Sequence, residues 1–194
     1  MPRTSRETAS RRREEVVQAA SRLFRERGVQ GVSVPDLMAE AGLTHGGFYR
    51  HFQSKDALEA EAYGRGLEQT AELVWSLIEQ HAGDGDAART ALLDRYLSVG
   101  HRDDPGDGCA TAALAIDAAH KGVGNPLRQA LASGVERMAD ILTGLSGEEH
   151  PAARRADALA SFSTMVGALI LARATAGTTL SEEILVAARA ALDD

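Results

Sequence analysis

Aromatic side chains are scarce in this chain. They make up 4 % of 194 residues: one Trp, three Tyr and four Phe. Ala dominates many segments and good helix formers outnumber β-branched runs, so the composition favours an all-α fold. Hydrophobic residues still reach 44 %, enough for a real core. Cysteine is nearly absent. Cys109 stands alone, which excludes an intrachain disulfide and a Cys–His zinc pattern and fits a reducing compartment. No long apolar run is present. MVGALILA, residues 165–172, is far short of the ~20 residues of a membrane span, so no membrane partner is expected. The N-terminus is basic but leads into a charged helix with no apolar segment, unlike a secretory signal, and a cytoplasmic location is expected. There is no nucleophile elbow and no phosphate loop. No catalytic residue, cofactor or enzymatic activity is expected.

Charge is present but unevenly spread. The net charge of −7 argues against nucleic acid as a partner only if the chain is taken whole. Residues 1–55 hold ten basic and six acidic side chains, a net +4, and the remainder holds eleven and twenty-two, a net −11. A basic front and an acidic body suggest that one end meets a polyanion.

Helix punctuation divides the chain. A first helix runs from about Ser10 to Arg27, with Val16, Ala20, Leu23 and Phe24 on one face and Gly28 as its stop. In SVPDLMAEAGL, Ser33 is a good N-cap, Pro35 fits the first turn and Asp36 resembles the partner of a capping box. Gly42 ends this second helix. Thr44 is positioned to cap a third, ending near Phe52, and Ser54 a fourth, continuing to about His81. Two short helices around a Gly-containing turn make a helix-turn-helix pattern over residues 1–53. Residues 54–194 form a helical body, broken at 83–86, 103–108, 122–126, 144–151 and 176–178 into about five further segments.

The stretch THGGFYRHF, residues 44–52, carries the chemistry. With Phe48 set at 0° and about 100° per residue, Phe52 falls near 40° and the two mark a buried face. Arg50 then lies near 200°, Gly46 near 160° and Gly47 near 260°, on the outer side. An outer face of Gly, Gly and Arg suits a helix pressed into a DNA major groove, where Arg50 reaches a base edge or a phosphate. Tyr49 and His51 flank it, placed for phosphates, and Lys55 adds charge at the next helix start. If so, Tyr49→Phe and Lys55→Ala weaken DNA binding and leave the melting temperature nearly unchanged. The basic arm of Arg3, Arg6, Arg11, Arg12 and Arg13 is either a plain tail or a tracker of phosphates.

These residues resemble a known family. The motif A-x-x-L-F at 20–24, Gly28, the SVPDLMAEAGL segment and GFYRHF-x-SKDAL at 47–58 are similar to the N-terminal domain of the TetR/AcrR family of bacterial transcription regulators. The resemblance covers about residues 13–58. It implies a dimer of all-α subunits with about nine helices each, a ligand-responsive repressor, and a double-stranded DNA operator. It further implies that Thr44, His45, Gly46, Gly47 and Arg50 face bases while Tyr49, His51 and Lys55 contact the backbone. Many members carry bulkier residues at Gly46 and Gly47, so base reading would rest on Thr44, His45 and Arg50.

The body offers weaker signals. Leu159, Phe162, Val166, Leu169 and Ile170 form a stripe on the segment 152–174, beside the small residues Ala160, Ser161, Ser163, Gly167 and Ala168. With the final segment, 181–192, this is the expected dimer face. A small-molecule ligand among Trp75, Tyr96, Cys109 and Met138 would tilt the fourth helix, which Gly64 and Gly66 interrupt. Cys109 follows DPGDG and falls in the first turn of a helix, either as an oxidant- or electrophile-sensing thiol or as a buried small residue. Asp117 and His120 share a helical face, but a single such pair does not make a metal site, and no metal is expected. The rival function is a small helical enzyme or carrier whose pocket is its purpose.

Overall fold

The computed structural model describes residues 3–82, 84–146 and 150–193, without the side chains of residues 3–6 and 45. Helix α1 (Arg3–Arg27) buries Val16, Val17, Ala20, Leu23 and Phe24 along one face. It starts earlier than the sequence predicts, and the exposed Arg11 and Arg12 lie on helix rather than on a tail. Arg3 and Arg6 fall outside the described side chains. Arg13 is engaged with the fold: it donates to Glu61 at 2.6 Å and its guanidinium lies 4.9 Å from the Phe52 ring centroid. Gly28 (φ 69°) and Gly42 (φ 66°) supply the left-handed turns after the first two helices, a backbone region that a Cβ disfavours.

Helix α2 (Val34–Glu40) starts at the predicted capping box. The Asp36 N–H donates to Ser33 Oγ, and the Ser33 N–H returns a bond to Asp36 at 2.8 Å. The next turn departs from expectation. A 3-10 turn, His45–Gly47, leads into a four-residue helix α3 (Phe48–His51). The Thr44 side chain caps nothing here; its carbonyl accepts from the Gly47 N–H at 3.0 Å. Two glycines weaken α geometry enough for the tighter turn to take over.

Helix α4 (Lys55–Gln80) begins at Ser54, whose hydroxyl accepts from the Ala57 N–H, and spans about 40 Å at 1.5 Å per residue. It runs unbroken through Gly64 and Gly66. The second glycine lets Ala110 pack against the helix: a Cβ there would sit 2.9 Å from the Ala110 Cβ. The body continues as α5 (Gly85–Tyr96), α6 (Val99–Asp103), α7 (Ala110–Ala119), α8 (Pro126–Thr143), α9 (Pro151–Ala174) and α10 (Thr179–Ala191). The short α6, capped by Ser98, is not among the predicted segments. No strand occurs among the described residues. Helix α4 is the shared element, packed chiefly on α8 and α1 and also on α5 and α7, while α9 packs on α8 and α10.

Helix α9 is long and apolar enough, by length and composition, to cross a bilayer. In this fold Phe162, Met165 and Leu169 on one of its faces are core residues.

Candidate functional site

The segment after α2 is held from beneath by aromatic packing. Phe48 is fully buried and Phe52 nearly so, with ring centroids 5.4 Å apart. That mounting pushes Tyr49 outward to 73 % exposure, its ring edge-on to Phe48. Arg50 and Thr44 are exposed, and Arg50 has no partner among the described residues. His51 is half-buried, its ring 6.3 Å from that of Phe52. The glycines divide. Gly46 is exposed, and a Cβ there would meet nothing within 4 Å. Gly47 is half-buried with Met38 beside it, so it belongs to the inner side rather than the outer face expected of it. The His45 side chain lies outside the described residues.

Lys55 is also placed differently from expectation. Its ammonium donates to the Val29 carbonyl at 2.7 Å and sits 5.8 Å from the Phe24 ring centroid. It ties the start of α4 to the turn after α1. Asp117 braces the same turn, accepting from the Val29 N–H at 3.0 Å, so this carboxylate holds backbone and does not stand open with His120. Among the described residues no group of His, Cys, Asp or Glu could hold a metal ion.

A second feature lies about α6 and the loop before α7. A cavity of about 370 Å³ is lined by apolar side chains of α4, α8 and α9, among them Leu73, Val74, Met138 and Phe162. Its other wall carries Gln69, Tyr96, His101, Gly108 and Cys109. The size is that of a small-molecule site. Of the four residues expected there, Tyr96, Cys109 and Met138 line it. Trp75 does not; it is half-exposed, on another face of α4. Cys109 is itself the N-cap of α7, its sulfur accepting from the Ala112 N–H at 3.5 Å, and so stands just before the first turn in which it was expected. His101 packs edge-on to Tyr96 at 4.6 Å, and burial pushes its imidazole below the usual range.

Arg25 joins the two features, a link that no local sequence pattern signals. It is 5 % exposed, and its Nη1 donates to the Gly108 carbonyl and its Nη2 to Gln69 Oε1, both at 3.0 Å. Both acceptor residues line the cavity, while Arg25 belongs to α1. A short polar chain therefore runs from the cavity wall to the helix that supports residues 44–55. A further link pins α4 to the end of α7: Lys121 donates to Asp56 at 2.7 Å and to the buried Glu59 at 2.8 Å.

The expected dimer stripe splits in the same way. Phe162 and Leu169 are buried inside the subunit, with Ser161 and Ala168. Leu159 is exposed, and Val166 and Ile170 are half-buried with Gly167 between them. The outward face of α9 is thus Leu159, Ser163, Gly167 and Ile170, beside exposed Leu171, and α10 adds Leu180 and Val186.

Comparison with known proteins agrees with the helical arrangement of residues 16–62, which match the model of the bacterial regulatory proteins, tetR family. Residues 16–62 thus carry the domain that this family's model describes. The chain is 31 % identical over 106 residues to the HTH-type transcriptional repressor KstR2 of Mycolicibacterium smegmatis, covering 50 % of this chain and 51 % of that one. It is 34 % identical over 108 residues to the HTH-type transcriptional repressor Rv3405c of Mycobacterium tuberculosis, covering 49 % and 56 %. The chain thus spans about half the length of the curated relatives it matches. Over nearly the whole fold it resembles a TetR transcriptional regulator from Chloroflexus aurantiacus, with a TM-score of 0.76, 26 % identity, and 96 % and 94 % of the two chains covered.

Proposed function

We propose that this chain is a homodimeric transcription repressor of the tetR family that binds a near-palindromic double-stranded operator and releases it when a small molecule enters the cavity. The observation that carries the reading is the surface at 49–50: an aromatic residue 73 % exposed beside an arginine without a partner among the described residues, both mounted on two buried phenylalanines. A surface so arranged presents donors to a duplex at little cost in side-chain ordering. In this reading Thr44, His45, Gly46 and Arg50 lie toward the bases and Tyr49 and His51 toward phosphates. Lys55 contributes field and the N-terminus of α4 rather than a free ammonium. Residues 1–53 form the DNA-binding unit and 54–194 the ligand-binding and dimerisation unit, with α4 shared physically between them. The work is cytoplasmic, and no reaction is assigned to the chain.

The response travels through Arg25. A guest that shifts Gln69 or Gly108 changes the two bonds that hold α1, and α1 carries the helix-turn-helix. A coupling of about 1–3 kcal/mol is typical of such linkage. A carrier or enzyme reading leaves the Tyr49–Arg50 surface without a use.

Selection of bound fragments from a genomic library tests the proposal, with enrichment of a two-fold symmetric site as the expected result. Arg50→Ala should then relax base preference at one position of each half-site, at a cost of about 1–3 kcal/mol. Failure to enrich any sequence would remove the DNA-binding function.

A further inference from the structure

Three guanidinium groups gather about the cavity, and none has a carboxylate partner among the described residues. Arg25 is buried, and it donates to the Ser21 and Gly108 carbonyls and to Gln69 Oε1, all uncharged acceptors, at 3.0 Å each. Arg173, half-buried on α9, donates to the Arg102 carbonyl at 3.2 Å and to the His101 carbonyl at 3.0 Å, again without a counter-charge. The two converge on Gly108 in the cavity wall. Arg25 holds its carbonyl, and a Cβ there would lie 2.5 Å from Arg173 Nη2. Arg95, on α5, lines the cavity itself; it is exposed, and its guanidinium bonds to nothing among the described residues. A buried charge without a counter-ion is costly. Burial accordingly lowers the pKa of both Arg25 and Arg173, despite the attraction of Asp104. Negative charge on the cavity lining comes from Asp104 and Asp107, both exposed to water, and Asp104 accepts the Asp107 N–H at 3.3 Å. Salt screens exposed charges beyond about 8 Å and buried ones much less, so the inner wall presents a net positive field.

We propose that the cavity takes small monocarboxylates with an apolar body, bound as anions. The proposal rests on the reading of this cavity as the effector site and adds the chemical class of the effector. Leu73, Val74, Met138 and Phe162 give the hydrocarbon an apolar bed, and about 370 Å³ has room for about a dozen water-sized groups. The carboxylate lies toward Gln69 and Arg95. Gln69 offers its carbonyl oxygen to Arg25, a group that only donates, which fixes the amide and leaves its N–H pair for another acceptor. Arg95 supplies a charge-assisted partner from the facing helix. The anion also offsets the unmatched charge of Arg25 and Arg173 behind the wall. A carboxylate that draws the Gln69 amide toward itself loosens the Arg25 bond that holds α1, so the head group that binds is the one that signals.

Octanoate, octanamide and octylammonium carry one apolar body under a negative, a neutral and a positive head, so calorimetric titration of the full chain with each at neutral pH isolates the charge. Octanoate should bind saturably and about tenfold or more tighter than octanamide, and octylammonium should give no saturable heat. Arg95→Gln changes an exposed side chain bonded to nothing in the fold. It should cut octanoate affinity about tenfold and leave that of octanamide unchanged, a split that a merely structural role would not produce. Leu73→Trp fills the cavity from a half-buried position and should abolish binding of both, with the melting temperature as the check that the chain is folded. No octanoate binding, equal affinities for octanoate and octanamide, tighter binding of octylammonium, or octanoate affinity unchanged in either variant overturns the proposal. Operator binding is measured separately, with and without octanoate. A chain that binds octanoate but no DNA, or that keeps its DNA when octanoate is bound, defeats the repressor reading and leaves the anion site standing. Intact DNA binding without an octanoate site defeats this inference alone.

Discussion

In the proposed reading Lys55 has two jobs at the scale of one side chain, a tie to the Val29 carbonyl and a charge toward DNA, and they make its loss distinguishable from that of Tyr49. Tyr49 is almost wholly in solvent, so Tyr49→Phe should weaken operator binding and leave the melting temperature within error. Lys55 donates to the Val29 carbonyl, so Lys55→Ala removes a charge-assisted bond and should also lower stability by about 1–2 kcal/mol, read by urea unfolding. This replaces the expectation from sequence that both variants melt like the parent. His101 makes a comparable case at the cavity. Its Nδ1 faces the Tyr96 carbonyl at 2.7 Å and must carry the proton; its Nε2 accepts the Cys109 N–H at 3.0 Å and must be bare. The neutral ring is the one that fits, and burial lowers its pKa from the ordinary 6.5. The unfolded chain then binds the extra proton first. Stability from this residue is full above 6.5 and is lost as pH falls below it, by at most about 1.4 kcal/mol at pH 5.5. The parent should lose more stability between about pH 7.5 and pH 5.5 than His101→Gln, which starts lower and changes less. Equal losses in thermal melts at the two pH values would place the proton elsewhere.

Among the elements, α4 separates what local propensity says from what packing says. Gly64 and Gly66 look alike in the sequence, and each is expected to loosen the helix. A Cβ at Gly64 meets nothing within 4 Å, so Gly64→Ala should stabilise the chain by about 0.5–1 kcal/mol. At Gly66 a Cβ would press on the Ala110 Cβ at 2.9 Å and the Ser21 Oγ at 3.2 Å, so Gly66→Ala should destabilise by about 1–3 kcal/mol despite the better propensity. Denaturant unfolding of the two variants gives opposite signs if the α4–α7 contact is as close as described. The same contrast explains what the sequence could reveal. The Ser33–Asp36 capping box, the Ser54 cap and the Phe48/Phe52 face are local patterns of three or four residues, and each forms where its spacing puts it. The entry to α3 was misjudged because a helical wheel assumes α geometry, and consecutive glycines admit a 3-10 turn that rotates Gly47 inward. Arg25 was invisible because its acceptors lie 44 and 83 residues away. The stripe on α9 was legible as a face, but period alone does not say whether Phe162 and Leu169 look into the subunit or out of it.

For the whole molecule, the proposed dimer face on the outward side of α9 would set whether two basic heads reach DNA together. One head carries a net +4 over its first 55 residues, against −11 for the body behind it, so a duplex is drawn to one end of the subunit only. In the proposed repressor a single head would grip one half-site, and operator affinity would depend on the second being held at the right spacing. Gly167 is the position from which to test this. It lies on the outward face between Ser163 and Ile170, and a Cβ there meets nothing within 4 Å of the same subunit. Gly167→Glu should therefore leave the isolated subunit folded, and the better helix propensity should offset any loss. In a two-fold interface built on this face, the substitution places two carboxylates near the symmetry axis without partners. The cost is about 3 kcal/mol, or roughly a hundredfold in the dimer dissociation constant. Sedimentation at low micromolar concentration should then find monomer where the parent is dimeric. Operator affinity should fall with it, while helical content by circular dichroism stays that of the parent. A Gly167→Glu chain that remains dimeric would move the interface off the centre of α9, and the half-site geometry argued from it would have to be rebuilt around another face.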